Sequence, residues 1–294
     1  MKKARFLLFI IAATLLSGCH FHKQDQVKNF FEWTDSYGRS ISLKSEPQRI
    51  VSISPAITEI LYLIGAEEKI AGVSDYCNYP EAATKLPKIG GMQNINMEAL
   101  VALQPDVVLI SSMVSKKDVE TIEKMNIPVI SIIEENNIEG MADVITTLGK
   151  ICNREEAANK EANAWRACIE QVKNNKTSNS GKRVYYVVGF GDTGDFTAPK
   201  GSHIHQIIEL AGCKNIGEKL TGWNVSREYL FQEDPDIILV RAEDKETFCS
   251  QSPYNKLTAV KEGRVYPINS GWIDIVSPRN IKAIEYIKEK AAEQ

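Results

Sequence analysis

The sequence predicts an α/β protein with two Rossmann-like α/β lobes, a single long rigid helix that joins them, and a ligand cleft between the lobes. Strand and helix patterns alternate from Arg49 onward, which indicates βα units around largely parallel sheets. Midway, residues 154–175 form a run without Gly or Pro that is rich in Ala, Glu and Lys. One segment is also written twice, as EALVALQPDVVLI at residues 98–110 and EYLFQEDPDIILV at residues 228–240.

The first residues are predicted to be an export signal rather than part of this fold. Lys2, Lys3 and Arg5 precede the apolar run FLLFIIAATLL, which is followed by SGC ending at Cys19. The run is shorter than the roughly 20 residues that a spanning helix needs. The ending LLSGC resembles a bacterial lipoprotein signal, so we expect residues 1–18 to be removed and Cys19 to be acylated. Residues 19–29 would then be a polar tether to the membrane.

The first lobe is predicted over residues 30–152. The strand RIVSIS ends at Ser54 and Pro55, which are favoured N-cap and N1 residues, and the helix PAITEILYLIG stops at Gly65. The predicted elements continue as strand KIAGVS, helix MEALVAL, strand DVVLIS, helix KKDVETIEKM, strand IPVISI and helix IEGMADVITTLGKI.

The connecting helix is predicted over residues 153–176 and the second lobe over residues 177–294. At about 1.5 Å per residue the helix would be roughly 30 Å long, which is the diameter of a small domain. The second lobe is predicted as strand VYYVVGF, helix HIHQIIELAG, helix SREYLFQE, strand DIILV, helix YNKLTAV, strand RVYPIN and a final amphipathic helix from Pro278. Each lobe thus holds one copy of the repeated segment, and a cleft between two such lobes is where small ligands usually bind.

The net charge of the chain limits the class of partner. The net charge is −3, and removal of the three cations in residues 1–18 makes it −6, which argues against a nucleic-acid partner.

An odd number of cysteines follows Cys19, so they cannot all pair, and we regard Cys213 with Cys249 as the first disulfide to test. These cysteines are Cys77, Cys152, Cys168, Cys213 and Cys249. No metal site is expected, because no CxxC occurs and the four His form two short pairs.

Four sequence blocks follow one another in the order RIVSISPAITEILYLIGAEEKIAGVSDYCNYP, LPKIGGMQNINMEALVALQPDVVLI, NVSREYLFQEDPDIILV and SGWIDIVSPR. Together they resemble the class III cobalamin and iron-siderophore binding proteins of bacterial ABC importers, most of all the cobalamin-binding type. The likeness runs from about Phe31 to the C-terminus. It implies a monomeric, exported receptor, periplasmic or on the cell surface, which passes its ligand to a permease dimer. A capture or sensor receptor without a transporter is the alternative of a different class.

The resemblance also assigns a role to the two Glu residues of the repeated segment. In this family a surface Glu on each lobe docks onto Arg residues of the permease dimer, and the matching positions are Glu98 and Glu228. The alternative is that both carboxylates only occupy the first turn of a helix, after Asn96 and Ser226, where negative charge is favoured. The two roles are compatible.

By position in the family blocks, the residues expected to face the ligand are mostly aromatic. They are Tyr76, Met92, Gln93, Phe190, Trp223 and Trp272. Large flat side chains suit a corrin ring, whereas core packing is the alternative role for each, least of all for Trp223 and Trp272 in their Gly-flanked loops. Where cobalamin-binding relatives place a Trp, this chain has Met92, which weakens the corrinoid assignment.

Other ligands of the same family remain alternatives. An anionic ferric siderophore would require cationic side chains in the cleft, for which Arg241 and Lys200 are the candidates. Haem would require an axial ligand such as His203 or His205, but these are two residues apart and are expected to lie at a solvated helix start. We therefore expect a corrinoid, then a siderophore, then haem.

The sequence contains no recognisable catalytic machinery, so neither a catalytic residue nor a resident cofactor is predicted. The run GFGDTG at residues 189–194 has the spacing of a dinucleotide fingerprint, but DFTAPKG after it does not read as the helix that such a site requires. A second DTG, a GxSxG elbow and an HExxH motif are all absent from the sequence.

Overall fold

Two separate four-stranded parallel sheets form the framework of the protein, one in each lobe. The computed structural model describes residues 29–133, 138–174 and 181–293. The predicted signal peptide, Cys19 and nearly all of the predicted tether lie outside these residues. The predicted two-lobed α/β architecture is confirmed, because the sheets share no strand.

The first lobe begins with an antiparallel hairpin and continues as βα units around the sheet β4-β3-β7-β8. Its elements are β1 (Phe31–Thr34), β2 (Ser40–Leu43), β3 (Ile50–Ser52), α1 (Pro55–Leu63), β4 (Ile70–Val73), β5 (Gly90–Gly91), β6 (Asn94–Ile95), α2 (Met97–Ala102), β7 (Val107–Ser111), α3 (Lys116–Lys124), β8 (Val129–Ile133) and α4 (Met141–Cys152).

The connecting helix α5 (Glu155–Asn174) leads into the second lobe, whose sheet has the order β11-β9-β13-β14. The elements of this lobe are β9 (Arg183–Tyr186), β10 (Asp195–Phe196), α6 (His203–Leu210), β11 (Lys214–Asn215), β12 (Asn224–Val225), α7 (Arg227–Glu233), β13 (Ile237–Arg241), α8 (Lys245–Ser250), α9 (Thr258–Lys261), β14 (Val265–Ile268), α10 (Ser270–Ile273) and α11 (Asn280–Ala292).

The repeated sequence segment forms the same unit in both lobes. It is a short helix followed by an inner strand of the parallel sheet, α2 with β7 in the first lobe and α7 with β13 in the second. Both strands lie between two neighbours and are almost completely buried, as their continuous apolar runs predict.

The connecting helix is part of the core as well as a link. Its 20 residues give a length of about 30 Å. It packs along α4 so closely that a Cβ atom on Gly149 would lie 2.3 Å from the Cβ of Ala158, and Nε1 of Trp165 donates a hydrogen bond to the carbonyl of Ile138 at 3.2 Å. One buried apolar cluster runs from the first lobe through α4 and α5 into α6 and α11, so the lobes share core packing at this side.

One segment of the second lobe differs from the sequence prediction. The run YNKLTAV is not one helix: a 3-10 turn at Tyr254–Lys256 is followed by Leu257 in an extended conformation and then by the four-residue α9. Tyr254 is completely buried, so tertiary packing rather than local helix propensity decides the backbone here.

Cys213 and Cys249, the pair regarded as the first disulfide to test, are not bonded to each other in the structure. Both are free thiols in the structure. Cys213 belongs to the cluster on the face of the second sheet that includes Tyr186 and Leu239, whereas Cys249 packs against the cluster on the other face. The sheet therefore separates the two sulfur atoms.

Among the described residues, none of the helices combines the length and the apolar character needed to cross a bilayer.

Candidate functional site

Three residues predicted to face the ligand come together on the first lobe. The loop after β4 pairs with the β5–β6 hairpin through a hydrogen bond from the backbone N–H of Asp75 to the carbonyl of Gly90, 2.9 Å long. Tyr76 then lies over Gly91, where an added Cβ would be 3.2 Å from its ring. Met92 and Gln93 form the turn of the same hairpin. Tyr76 is 57% exposed, so its ring is available to a ligand.

Phe190 and Trp223 lie on adjoining segments of the second lobe. Gly189 bridges to Phe196, which pairs in turn with Asn224, next to Trp223. Trp223 is 39% exposed. Phe190 instead packs its ring edge against Phe248 and Tyr254, with centroid distances of 5.2 and 5.6 Å, so it has a core contact whatever else it touches.

The GFGDTG run is a loop between two strands. Gly191 and Gly194 adopt φ of +98° and +109°, which favour glycine, and strand β10 follows directly. No helix begins here to present N–H groups to a phosphate, as the sequence after the run predicts.

Arg241 is held in an internal ion pair. Its Nη2 atom lies 2.9 Å from Oδ2 of Asp274, and Nη1 donates to the carbonyl of Val188 at 3.2 Å. Asp274 also accepts a 2.6 Å hydrogen bond from Tyr186, whose hydroxyl pKa is raised by burial and then by the Asp274 charge. The charge of the predicted cleft cation is therefore already balanced within the lobe.

Trp272 and Lys200 differ in their surroundings. Trp272 is half-buried and packs edge-on against Tyr286 of α11, with ring centroids 6.4 Å apart. Lys200 is exposed at the turn before α6. Trp272 thus contributes to packing of the last helix.

The prediction that His203 and His205 lie at a solvated helix start is wrong. They are 8% and 5% exposed. Nε2 of His203 lies 2.9 Å from the carbonyl of Ile273, and Nδ1 of His205 lies 3.3 Å from the side-chain amide of Asn215. Each ring is engaged inside the second lobe because α6 packs against β11 and α11.

An ion pair that sequence reasoning missed crosses between the lobes. Arg279, just before α11, donates through Nε to Oε2 of Glu59 on α1 at 2.8 Å and through Nη2 to Oε1. Its guanidinium also lies over the ring of Tyr79, 4.1 Å from the centroid. The feature of the sequence that could have indicated this pair is Glu59, the one charged residue in the helix PAITEILYL.

Trp272 and Tyr76 lie on neighbouring parts of the inter-lobe region, because each is close in the chain to a residue that the Arg279 guanidinium approaches. A Cβ on Gly271, the residue before Trp272, would lie 2.5 Å from Nη1 of Arg279. Tyr79, which Arg279 covers, is in the loop that carries Tyr76. Aromatic side chains from both lobes thus border the junction.

Glu98 and Glu228 are exposed and occupy equivalent positions in the two lobes. Each is the second residue of its helix, α2 or α7. Asn96 and Ser226 cap these helices, accepting hydrogen bonds from the N–H groups of Ala99 at 3.0 Å and Tyr229 at 3.1 Å. The predicted first-turn placement is confirmed, and both carboxylates are accessible to a partner.

Within the described parts of the chain, no cluster of three or more His, Cys, Asp or Glu side chains has the arrangement of a metal site.

Comparison with known proteins gives consistent matches over most of the chain. The uncharacterized ABC transporter substrate-binding lipoprotein YvrC of Bacillus subtilis is 25% identical over 298 residues, covering 95% of this chain and 94% of its own. The vitamin B12-binding protein of Salmonella typhi is 29% identical over 242 residues, covering 81% and 88%. The crystal structure of the periplasmic vitamin B12 binding protein BtuF of Vibrio cholerae superposes with a TM-score of 0.75 at 23% identity, covering 84% of this chain and 98% of that one.

A family model described as periplasmic binding protein matches residues 50–270. This range contains both four-stranded sheets, the connecting helix and the two exposed carboxylates. Because the match spans both lobes, the chain belongs to the periplasmic binding protein family.

Proposed function

We propose that this protein is a lipid-anchored substrate-binding protein of an ABC importer, which captures a corrinoid between its lobes and delivers it to a permease dimer. The observation that carries the proposal is the equivalence of Glu98 and Glu228. Two separate lobes each present an exposed carboxylate at the second position of a capped helix. A permease with two equivalent cationic patches would engage both, and two separated anchors fix the orientation of the receptor.

Export and anchoring are proposed from the N-terminal sequence. The apolar run and the SGC ending at Cys19 support removal of residues 1–18 and acylation of Cys19. The relative from Bacillus subtilis is named as a substrate-binding lipoprotein. Metabolic labelling with a fatty acid should label the wild type, while Cys19→Ala should lose the label.

A corrinoid is the ligand best supported by the exposed aromatic side chains of the two lobes. Tyr76 on one lobe and Trp223 on the other offer exposed aromatic faces, which suit a large, flat, mostly apolar ring. Arg241, the predicted cation for an anionic iron chelate, is already paired with Asp274. The Salmonella typhi relative is named as a vitamin B12-binding protein. On this support we propose a corrinoid ahead of a ferric siderophore or haem.

The ligand is tested by titrating the purified protein with cyanocobalamin, a ferric siderophore and haem, followed by Trp fluorescence and calorimetry. We expect a saturable signal with cyanocobalamin. Trp223→Leu should weaken that binding at least tenfold, while the matched change Trp33→Leu, on β1 of the first lobe, should leave the affinity within about threefold. Saturable binding of the siderophore or haem without cyanocobalamin binding would overturn the corrinoid assignment.

Docking is tested by replacing Glu98 and Glu228 together with Ala. Uptake of labelled cyanocobalamin by cells that carry the variant in place of the native gene should fall at least tenfold, while affinity of the isolated protein stays unchanged. Glu155→Ala with Glu246→Ala is the matched control, since both residues are exposed in the first turn of other helices. Normal uptake by the Glu98/Glu228 variant would remove docking through these carboxylates, and with it the mechanism of the proposed function.

A further inference from the structure

A buried carboxylate ties the GFGDTG loop to the helix that carries Glu228. The side chain of Asp195 is 3% exposed, and its Oδ2 atom accepts a hydrogen bond from Nε of Arg227 at 3.0 Å. Its Oδ1 atom accepts from the backbone N–H of Gly191 at 3.2 Å and from the hydroxyl of Tyr254. Burial of a carboxylate costs desolvation free energy, which these donors offset.

Arg227 is folded back onto the same loop although its side chain is 47% exposed. Its Nη2 atom donates to the carbonyl of Gly191 at 3.0 Å, and its guanidinium lies 5.6 Å from the centre of the Tyr254 ring. Asp195 and Arg227 therefore bind the N–H and the C=O of one loop residue. The position of this guanidinium is determined by Asp195 and the loop rather than by its own helix.

The connection from this pair to the docking carboxylate is short. Strand β10 pairs with β12, with Asp195 opposite Val225, and β12 leads directly into the cap of α7. Arg227 is the first residue of that helix and Glu228 is the second. A cationic residue thus directly precedes, in the chain, the carboxylate that is proposed to meet a cationic patch.

The first lobe lacks this cation. After its capping residue Asn96, helix α2 begins with Met97 and continues with Glu98. The otherwise equivalent carboxylates thus differ in their nearest helical neighbour. An unpaired cation beside Glu228 would repel a cationic partner, and like charges brought together at an interface are unfavourable.

We propose that Asp195 is a positioning residue for docking: it neutralises Arg227 and holds it against the loop, so that this cation does not oppose the charge of Glu228. The inference rests on the proposed function, because it takes the docking partner to be a cationic patch. It adds the requirement that the charge of Arg227, which precedes Glu228, be balanced by Asp195.

The test is a charge-rescue experiment in the full-length chain, using uptake of labelled cyanocobalamin by cells. Asp195→Asn keeps the acceptor for Gly191 and Tyr254 but removes the charge, and it should lower uptake about tenfold. Arg227→Gln should leave uptake within about twofold of wild type. The double variant Asp195→Asn/Arg227→Gln should recover uptake to within about threefold, because it has no unbalanced cation.

Asp143→Asn is the matched control, because it also frees an Arg, Arg166, but from an exposed pair far from α7 in sequence. It should leave uptake unchanged. Affinity of each isolated variant for cyanocobalamin, and its midpoint of thermal unfolding, separate docking from misfolding. A double variant as defective as Asp195→Asn alone would overturn charge balance in favour of a packing role. Normal uptake by Asp195→Asn would overturn the inference outright. Normal uptake when Glu98 and Glu228 are both replaced would overturn the proposed function itself, and this inference with it.

Discussion

Replacement of Arg279 by Met is expected to destabilise the protein by about 3–5 kcal/mol at pH 7, because it leaves the Glu59 carboxylate buried without its partner. The side chain of Glu59 is 5% exposed and that of Arg279 is 12% exposed, and Nε and Nη2 of the guanidinium each donate to one carboxylate oxygen. The contact with the exposed ring of Tyr79 adds only about 0.5–1 kcal/mol, so most of the loss comes from the orphaned charge.

The loss should depend on pH in a defined direction. Burial raises the pKa of the Glu59 carboxyl above its ordinary 4.5, and Arg279 opposes this shift. Without Arg279 the pKa rises further, so the native state binds more protons than the unfolded state over a wider range above pH 4.5. The free-energy deficit of Arg279→Met should therefore grow as pH rises from 5 to 8 and shrink as pH falls.

Urea unfolding of wild type and variant at several pH values measures this deficit. The double variant Glu59→Met/Arg279→Met should recover at least half of it, because a matched apolar pair carries no buried charge. Arg166→Met, which removes an exposed pair with Asp143, should cost less than about 1 kcal/mol. A loss below about 1 kcal/mol for Arg279→Met, or one that does not change with pH, would refute the reasoning.

Three further predictions concern stability and thiols. Burial raises the pKa of Asp236 but the hydrogen bonds from Arg183 lower it more, so this carboxylate contributes stability above its ordinary pKa of 3.8 that is lost as pH falls. Asp236→Asn should accordingly cost about 1 kcal/mol at pH 7 in urea unfolding, and progressively less as the pH falls below the ordinary pKa of 3.8. Gly149→Val should cost about 1–3 kcal/mol by overpacking α4 against Ala158 of α5, and Ala158→Gly in the same chain should relieve part of that loss. With Cys19 acylated as proposed, the protein denatured without reductant should titrate five thiols; three would show that a disulfide forms.

Much of the architecture could be predicted because local patterns carry it. The repeated segment predicts a helix and an inner strand in each lobe, and both occur at the predicted places. Ser226 and Asn96 are strong N-cap residues, so the exposed first turns behind them also follow from sequence. The run YNKLTAV shows the limit, since the burial of Tyr254 rather than its own helix propensity sets the backbone.

By itself the sequence determined the order of strands and helices, the division into two lobes and the two equivalent carboxylates, because periodicity and capping act over a few neighbouring residues. Only the tertiary structure decided which distant side chains meet. Glu59 and Arg279 are 220 residues apart in the chain, and Cys213 and Cys249 face opposite sides of one sheet. Such contacts depend on how whole elements pack and which face each presents, and no local pattern encodes that packing.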